Sequence, residues 1–125
     1  MEYIAGGMGY TAYFIFHVTI MISFLDGIIE LRGEKFIVVN VAGIGYKIFV
    51  GPETLHTISK KNAGGNPEQS QKIKVWTHQY VREDALELYG FLHFAELELF
   101  ETLIGISGIG PKGALGVLAI APVDT

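Results

Sequence analysis

Short apolar runs separated by turn-forming residues make up most of the chain between residues 21 and 92. β-branched and aromatic side chains dominate these runs, a pattern typical of strands. Five strands are predicted, at 22–29, 36–41, 46–50, 73–80 and 86–92. Gly27, Gly43 and Gly45 suggest the bends or bulges that a small closed barrel requires. The pattern therefore predicts a mainly β, five-stranded barrel of the OB-fold type.

The segment between the third and fourth strands has a different character. Residues 52–58 are expected to form a single helical turn. Residues 59–71 are polar and contain glycine, asparagine and proline, which predicts a long exposed loop.

After residue 92 the spacing between apolar residues changes from every second position, as in a strand, to every third or fourth position, as in a helix. Apolar side chains recur on one face of a helix predicted at 94–104, at Phe94, Leu97, Phe100, Leu103 and Ile104. Glu96, Glu98 and Glu101 fall off that face and are expected to be solvated. A second helix is predicted at 111–119, with Ala114 facing the first, so the fold is α+β overall.

The turn between these helices carries the sequence Gly108-Ile-Gly-Pro-Lys112. Both glycines can adopt positive φ, and Pro111 suits the first position of a helix. Ile106 and Ile109 are expected to point inward and anchor the turn. The exposed amides beside a helix N-terminus, together with Lys112, are suited to a phosphate group. This arrangement predicts a helix-hairpin-helix that grips nucleic-acid backbone, although such a turn can also serve only to connect two helices.

Residues 1–20 differ from the rest of the chain, since no Lys, Arg, Asp or Glu occurs from Tyr3 to Leu25. A run of that length could span a membrane. No basic residue precedes it, however, and its second half continues into the first predicted strand. Three interpretations remain: an extension upstream of a true start at Met21, an added strand or arm, and a membrane anchor. We expect the first, with no membrane association.

Composition narrows the classes of function. The chain has 125 residues, a formal charge of −4 and no cysteine. Disulfides and thiolate metal sites are therefore excluded, and a reducing, cytoplasmic location is expected. The acidic balance argues against coating DNA by bulk electrostatics, so contacts with nucleic acid must be local.

Catalytic and cofactor chemistry finds little support in the pattern. The four histidines (His17, His56, His78 and His93) are scattered, and there is no Walker A motif, so we expect neither a metal, a cofactor nor an ATPase. The adjacent carboxylates Glu83 and Asp84 would need a turn to converge. Trp76, Tyr46 and Tyr80 could stack on bases, but barrel core or a subunit interface is favoured.

Several strings of residues resemble one family, the RuvA proteins, which are the Holliday-junction-binding subunits of the bacterial branch-migration machine. The strings are Gly43-Ile-Gly-Tyr46, Thr77-His78, Val81-Arg-Glu-Asp-Ala85, Leu88-Tyr-Gly-Phe91, Leu99-Phe100, Leu103-Ile104 and Gly108-Ile-Gly-Pro-Lys112. The resemblance covers about residues 21–121, the N-terminal part of such a protein. It divides the chain into an extension (1–20), an OB-fold barrel with an acidic pin (21–92) and a truncated helix-hairpin-helix domain (93–125).

The resemblance implies a non-catalytic subunit that binds four-way junction DNA as a homotetramer, in recombination, repair and the SOS response. Its acidic pin falls on Glu83 and Asp84. Its DNA-binding residues fall on Gly108, Ile109, Gly110 and Lys112, with Arg82 beside the pin. Implied partners are the hexameric RuvB motor ATPase and the RuvC junction resolvase. RuvA proteins engage the motor through a C-terminal domain that follows a second hairpin unit, and the resemblance found here covers neither of these parts.

Two other functions stay open from the residues alone. One is a fragment of a DNA repair enzyme, a glycosylase or a nuclease, that uses the hairpin to grip DNA. The other is a single-strand-binding module that uses only the barrel.

Overall fold

Five β-strands and three α-helices follow one another in the computed structural model, which describes residues 21–62, 71–106 and 108–120. The expectations for residues 1–20 and for most of the predicted loop lie outside these ranges. The elements are β1 (Phe24–Arg32), β2 (Phe36–Val41), β3 (Ile44–Phe49), α1 (Pro52–Asn62), β4 (Lys72–Val81), β5 (Leu86–Phe91), α2 (Phe94–Ile104) and α3 (Pro111–Ile120).

The strands close into a barrel in the order β1-β2-β3-β5-β4, with β4 pairing back to β1. Neighbouring strands are antiparallel except for β3 and β5, which run parallel where Ile48 faces Leu88 and Phe49 faces Tyr89. The predicted α+β fold, an OB-fold-type barrel followed by a helical segment, is confirmed.

The turn between β2 and β3 is tighter than the sequence pattern indicated. A break was expected over residues 42–45, but β3 already begins at Ile44. Ala42 and Gly43 have φ values of 53° and 89°, which are the left-handed conformations that a two-residue hairpin turn requires. The side chain of Asn40 supports the turn by accepting a hydrogen bond from the Gly43 amide at 2.8 Å.

Helix α1 is longer than predicted. The expected single turn at 52–58 continues to Asn62, so residues 59–62 of the predicted loop are helical. Thr54 and Ile58, one helical turn apart, are both buried, and Leu55 packs against the barrel interior. These three residues lie within the predicted turn, and the helix continues beyond them to Asn62.

Strand β5 separates two hydrophobic cores. Its Leu88 side chain lies inside the barrel, in the core that Ile37, Val39, Ile48 and Val75 also form. The side chains of Tyr89 and Phe91 face outward into a second core with α2 and α3, built around Phe100, Ala114 and Leu118. β5 is therefore buried on both faces, and this second core is what holds the helical segment against the barrel.

Candidate nucleic-acid interface

The hairpin between β4 and β5 presents two carboxylates at its tip. The Arg82 amide donates to the Ala85 carbonyl at 2.8 Å, and the Ala85 amide donates back at 3.4 Å. These bonds close a two-residue turn over Glu83 and Asp84, and both side chains are exposed. The tip of the hairpin therefore carries two adjacent, exposed carboxylates.

Arg82 lies beside this tip but is not free of partners. Its Nη2 atom is 3.5 Å from Oε1 of Glu87, and its guanidinium lies 5.8 Å from the ring centre of Tyr80. Glu87 also accepts a hydrogen bond from the Tyr89 hydroxyl at 3.0 Å. Burial, reinforced by that bond to Glu87, raises the pKa of Tyr89 to about 12. The Arg82 guanidinium is therefore paired with Glu87 and lies near the Tyr80 ring, both within the hairpin.

The connection between α2 and α3 forms the second part of the candidate interface. Gly108 has a φ of 89° and an exposed backbone, as expected for the hairpin turn. The carbonyl of Gly110 accepts the first helical hydrogen bond, from the Ala114 amide at 2.9 Å, and Pro111 is the first residue of α3. The amides of Lys112 and Gly113 therefore fall among the N-terminal amides that a helix leaves unpaired.

Two details of this turn differ from expectation. Gly110, which precedes Pro111, does not have positive φ. Ile106 was expected to point inward, but its side chain is 51% exposed. Ile104 and Ile109 pack against the second core instead and fill the inner positions.

The residues predicted to contact DNA are thus not equivalent. Gly108, Gly110 and Lys112 are exposed, whereas Ile109 is partly buried. The Ile109 amide donates to the carbonyl of Ile106 at 3.1 Å and is occupied within the turn. Ile109 therefore anchors the turn, and the groups open to a phosphate are the backbone at the two glycines and the N-terminus of α3 with Lys112.

One polar contact between the barrel and α2 was missed by the sequence analysis. Nδ1 of His78 on β4 lies 2.8 Å from Oε2 of Glu101 on α2. Glu101 was expected to lie on a solvated helix face, and its side chain is 48% exposed. Its carboxylate also contacts His78, which the sequence analysis did not anticipate. The Thr77-His78 string was the available signal, but nothing in the sequence pointed to its partner.

The remaining candidate chemistry is placed as follows. Within residues 21–62, 71–106 and 108–120, no three His, Asp or Glu side chains gather as metal ligands would. Tyr46 packs against the barrel interior, and Trp76 and Tyr80 pack against the second core. No helix in the described ranges has the length and hydropathy needed to cross a lipid bilayer.

Similarity to known proteins agrees with this geometry. The model of the RuvA N-terminal domain family matches residues 21–90. A Holliday junction branch migration complex subunit RuvA from Caldanaerobacter subterraneus is 40% identical over 105 residues, which are 84% of this chain and 52% of the relative. Proteins of the same name from Acetivibrio thermocellus and Dehalococcoides mccartyi are 46% and 47% identical, over 82% and 80% of this chain and 47% of each relative.

The chain spans about half the length of these relatives. The family model begins three residues before β1 and ends at Gly90, one residue before the end of β5, so it includes the hairpin that carries Glu83 and Asp84. The alignments with the relatives are longer than this match. The chain belongs to the RuvA N-terminal domain family.

Proposed function

We propose that this chain binds four-way DNA junctions as a non-catalytic, structure-specific subunit of an ATP-driven branch-migration complex. The observation that carries the proposal is the presence of two exposed elements in one fold, one on the barrel and one in the helical segment packed against it. These elements are the exposed acidic turn at Glu83 and Asp84, and the glycine turn that leads to Lys112. Proteins named as junction-binding branch-migration subunits share 40–47% of the aligned residues.

The glycine turn would supply affinity without reading sequence. Amides at a helix N-terminus carry a partial positive charge and donate to phosphate oxygens, and Lys112 adds a full charge beside them. Phosphate contacts fix the position of a duplex but carry no base information. Binding is therefore expected to depend on the shape of the DNA and not on its sequence.

The acidic turn would supply shape selectivity. A carboxylate and a phosphate about 10 Å apart repel by about 0.4 kcal/mol in bulk water, and by several times more at a lower effective dielectric. Two carboxylates in each subunit, repeated in a homotetramer, would oppose a duplex that crosses the centre while tolerating strands that are splayed apart. Glu83 and Asp84 therefore act as a pin that disfavours the wrong DNA.

The partners form part of the same proposal. A homotetramer multiplies weak phosphate contacts, since four linked sites bind far more tightly than one. The hexameric RuvB motor ATPase would supply ATP hydrolysis, and the RuvC resolvase would act on the same junction. In this proposal residues 21–92 form the barrel with the pin, and residues 93–125 form the helix-hairpin-helix segment. Because its ligand is bacterial DNA, the protein would act in the cytoplasm.

A gel-shift competition tests the proposal. Labelled four-way junction is bound by the full chain and displaced with unlabelled junction, duplex or single strand, while sedimentation reports the subunit number. We expect the junction to compete best and the complex to contain four chains or a multiple of four. Equal competition by duplex, or cleavage of the DNA, would favour a repair enzyme fragment. Preference for single strand would favour a barrel-only binding module.

A further inference from the structure

A cleft of about 400 Å³ opens between the barrel and α3. Its barrel side is formed by Phe49 and Val50 at the end of β3 and by Tyr89 on β5. Its helical side is formed by Leu115 and Gly116 of α3. The floor is therefore apolar and partly aromatic, and the rings of Phe49 and Tyr89 lie 5.6 Å apart.

Lysines surround this apolar floor. Lys35, in the turn between β1 and β2, and Lys112, at the start of α3, both line the cleft. Glu34 is the one carboxylate among the described lining residues. Lys47 does not line the cleft, but its Nζ atom lies 4.5 Å from the ring centre of Phe36 and 5.3 Å from that of Phe49, which is part of the cleft floor. The site is thus locally basic in a chain whose formal charge is −4.

We propose that this cleft binds one unpaired nucleotide of single-stranded DNA. The base would lie against Phe49 on the apolar floor, and Lys35 and Lys112 would contact the phosphates on either side. Proteins that bind single strands combine aromatic platforms, on which bases stack, with a basic groove that follows the backbone. OB-folds in general use the face of strands 2 and 3 for oligonucleotides, and Phe49 lies on β3.

Two features favour a nucleotide over another occupant. The volume falls within the range of roughly 300–1,000 Å³ that small ligands occupy, and an apolar floor with amines at its edge complements a base with its phosphates. Lys112 also belongs to the glycine turn that we propose to grip duplex backbone, so the cleft continues that surface. The inference rests on the proposed function only in this shared use of Lys112.

Gly116 provides a way to fill the cleft without disturbing the fold. It lines the cleft on α3, and a Cβ atom built on it would meet no other atom within 4 Å. Leucine is also a better helix former than glycine. Gly116→Leu should therefore project a side chain into the cleft while the helix stays intact. Gly116→Ala is the matched control, because it gains helix propensity but leaves the cleft open.

The test measures the affinity of each variant of the 125-residue chain for two DNA ligands. One is an oligonucleotide of roughly eight deoxythymidines, a length within the site size of one OB-fold. The other is a fully paired four-way junction. Relative to Gly116→Ala, we expect Gly116→Leu to bind the oligonucleotide about tenfold more weakly, which corresponds to about 1.4 kcal/mol. Lys35→Gln should weaken the same ligand severalfold. Junction affinity should stay within about twofold for both, the size of an ordinary surface change.

Equal oligonucleotide affinity for Gly116→Leu and Gly116→Ala would overturn the inference, as would a loss of junction binding that parallels the loss of oligonucleotide binding. Thermal unfolding of each variant checks that the helix is intact. The proposed function fails by a different result, namely that the unmodified chain binds junction no better than duplex. Even then, the difference in oligonucleotide affinity between Gly116→Leu and Gly116→Ala would still test whether the cleft binds a nucleotide.

Discussion

The imidazole of His78 and the carboxylate of Glu101, 2.8 Å apart, tie the barrel to α2. Among residues that the structure describes, theirs is the one side-chain hydrogen bond between a strand and α2 or α3. The His78 ring also meets the edge of Phe100 at 5.5 Å, so two consecutive residues of α2 hold it. β4 continues from His78 into the acidic hairpin, and α2 continues from Glu101 into the glycine turn. The pair therefore connects the two parts of the candidate interface.

Loss of this contact should be measurable as stability. Glu101→Gln removes the charge that strengthens the bond to His78, and we expect a loss of about 1 kcal/mol or less in the free energy of unfolding. The magnitude is held down because the Glu101 side chain is 48% exposed. Urea unfolding monitored by circular dichroism measures the change.

Glu98→Gln is the matched control for that experiment. Glu98 is exposed on the same helix, and the same charge is removed without breaking a contact to the barrel. Its effect should stay within about 0.5 kcal/mol. Identical unfolding curves for the two variants would show that the contact between His78 and Glu101 does not stabilise the packing of α2 against the barrel.

Lys112→Glu should weaken binding to every form of DNA alike, because phosphate contacts position without reading bases. The dependence of log K on log salt should flatten by about 0.9 for each phosphate contact that is lost. Fluorescence anisotropy over a salt series measures both quantities. Lys72→Glu, an exposed lysine at the start of β4 with the same change in charge, is the control.

Unchanged affinity and slope for Lys112→Glu would mean that the glycine turn is only a connector between α2 and α3. An equal loss for Lys72→Glu would indicate general attraction of DNA to positive charge and not a local grip.

Replacing the two carboxylates of the hairpin tip should act in the direction opposite to most binding-site mutations. Glu83→Gln with Asp84→Asn keeps the size of both side chains and removes two negative charges that we propose repel phosphate. Affinity for DNA should stay the same or increase, while the preference for junction over duplex should fall. The effect should grow with the number of subunits that meet at the junction. Competition binding with both DNA forms measures the ratio.

Glu53→Gln with Glu98→Gln removes the same charge at two exposed positions away from the tip and should leave the ratio unchanged. Sharply weaker binding of the tip variant to all DNA would instead assign the carboxylates to a ligand or catalytic role.

Tyr89 should make stability fall at alkaline pH. Its pKa rises from 10.0 to about 12 in the folded protein, since burial and the bond to Glu87 disfavour the phenolate. A raised folded-state pKa gives stability that is fully present below pH 10 and is lost as the pH rises towards 12. A shift of that size is worth up to about 3 kcal/mol.

The measurement compares unfolding of the unmodified chain and Tyr89→Phe between about pH 9 and 12, the window set by the two Tyr89 pKa values. Other groups that ionise at alkaline pH lower the free energy of unfolding of both chains equally. The difference in that free energy between the two chains therefore reports on Tyr89 alone. A difference that does not change with pH would show that the phenol is free to ionise in the fold.

Local patterns in the sequence determined most of the elements and both parts of the candidate interface. The apolar period predicted α2 at its observed bounds, and the five strands were placed within two or three residues. The two neighbouring carboxylates and the glycine turn were readable because each is a short string whose geometry depends on adjacent residues. Turn chemistry and side-chain period act within a few positions along the chain.

The tertiary structure alone decided how those strings are supported. His78 and Glu101 are 23 positions apart along the chain, and Lys35 and Lys112, which line one cleft, are 77 positions apart. The outward side chain of Ile106 and the extension of α1 to Asn62 were likewise not predicted from the sequence. Such contacts depend on the path of the whole chain and on burial shared between distant elements, and no local pattern of residue types encodes them.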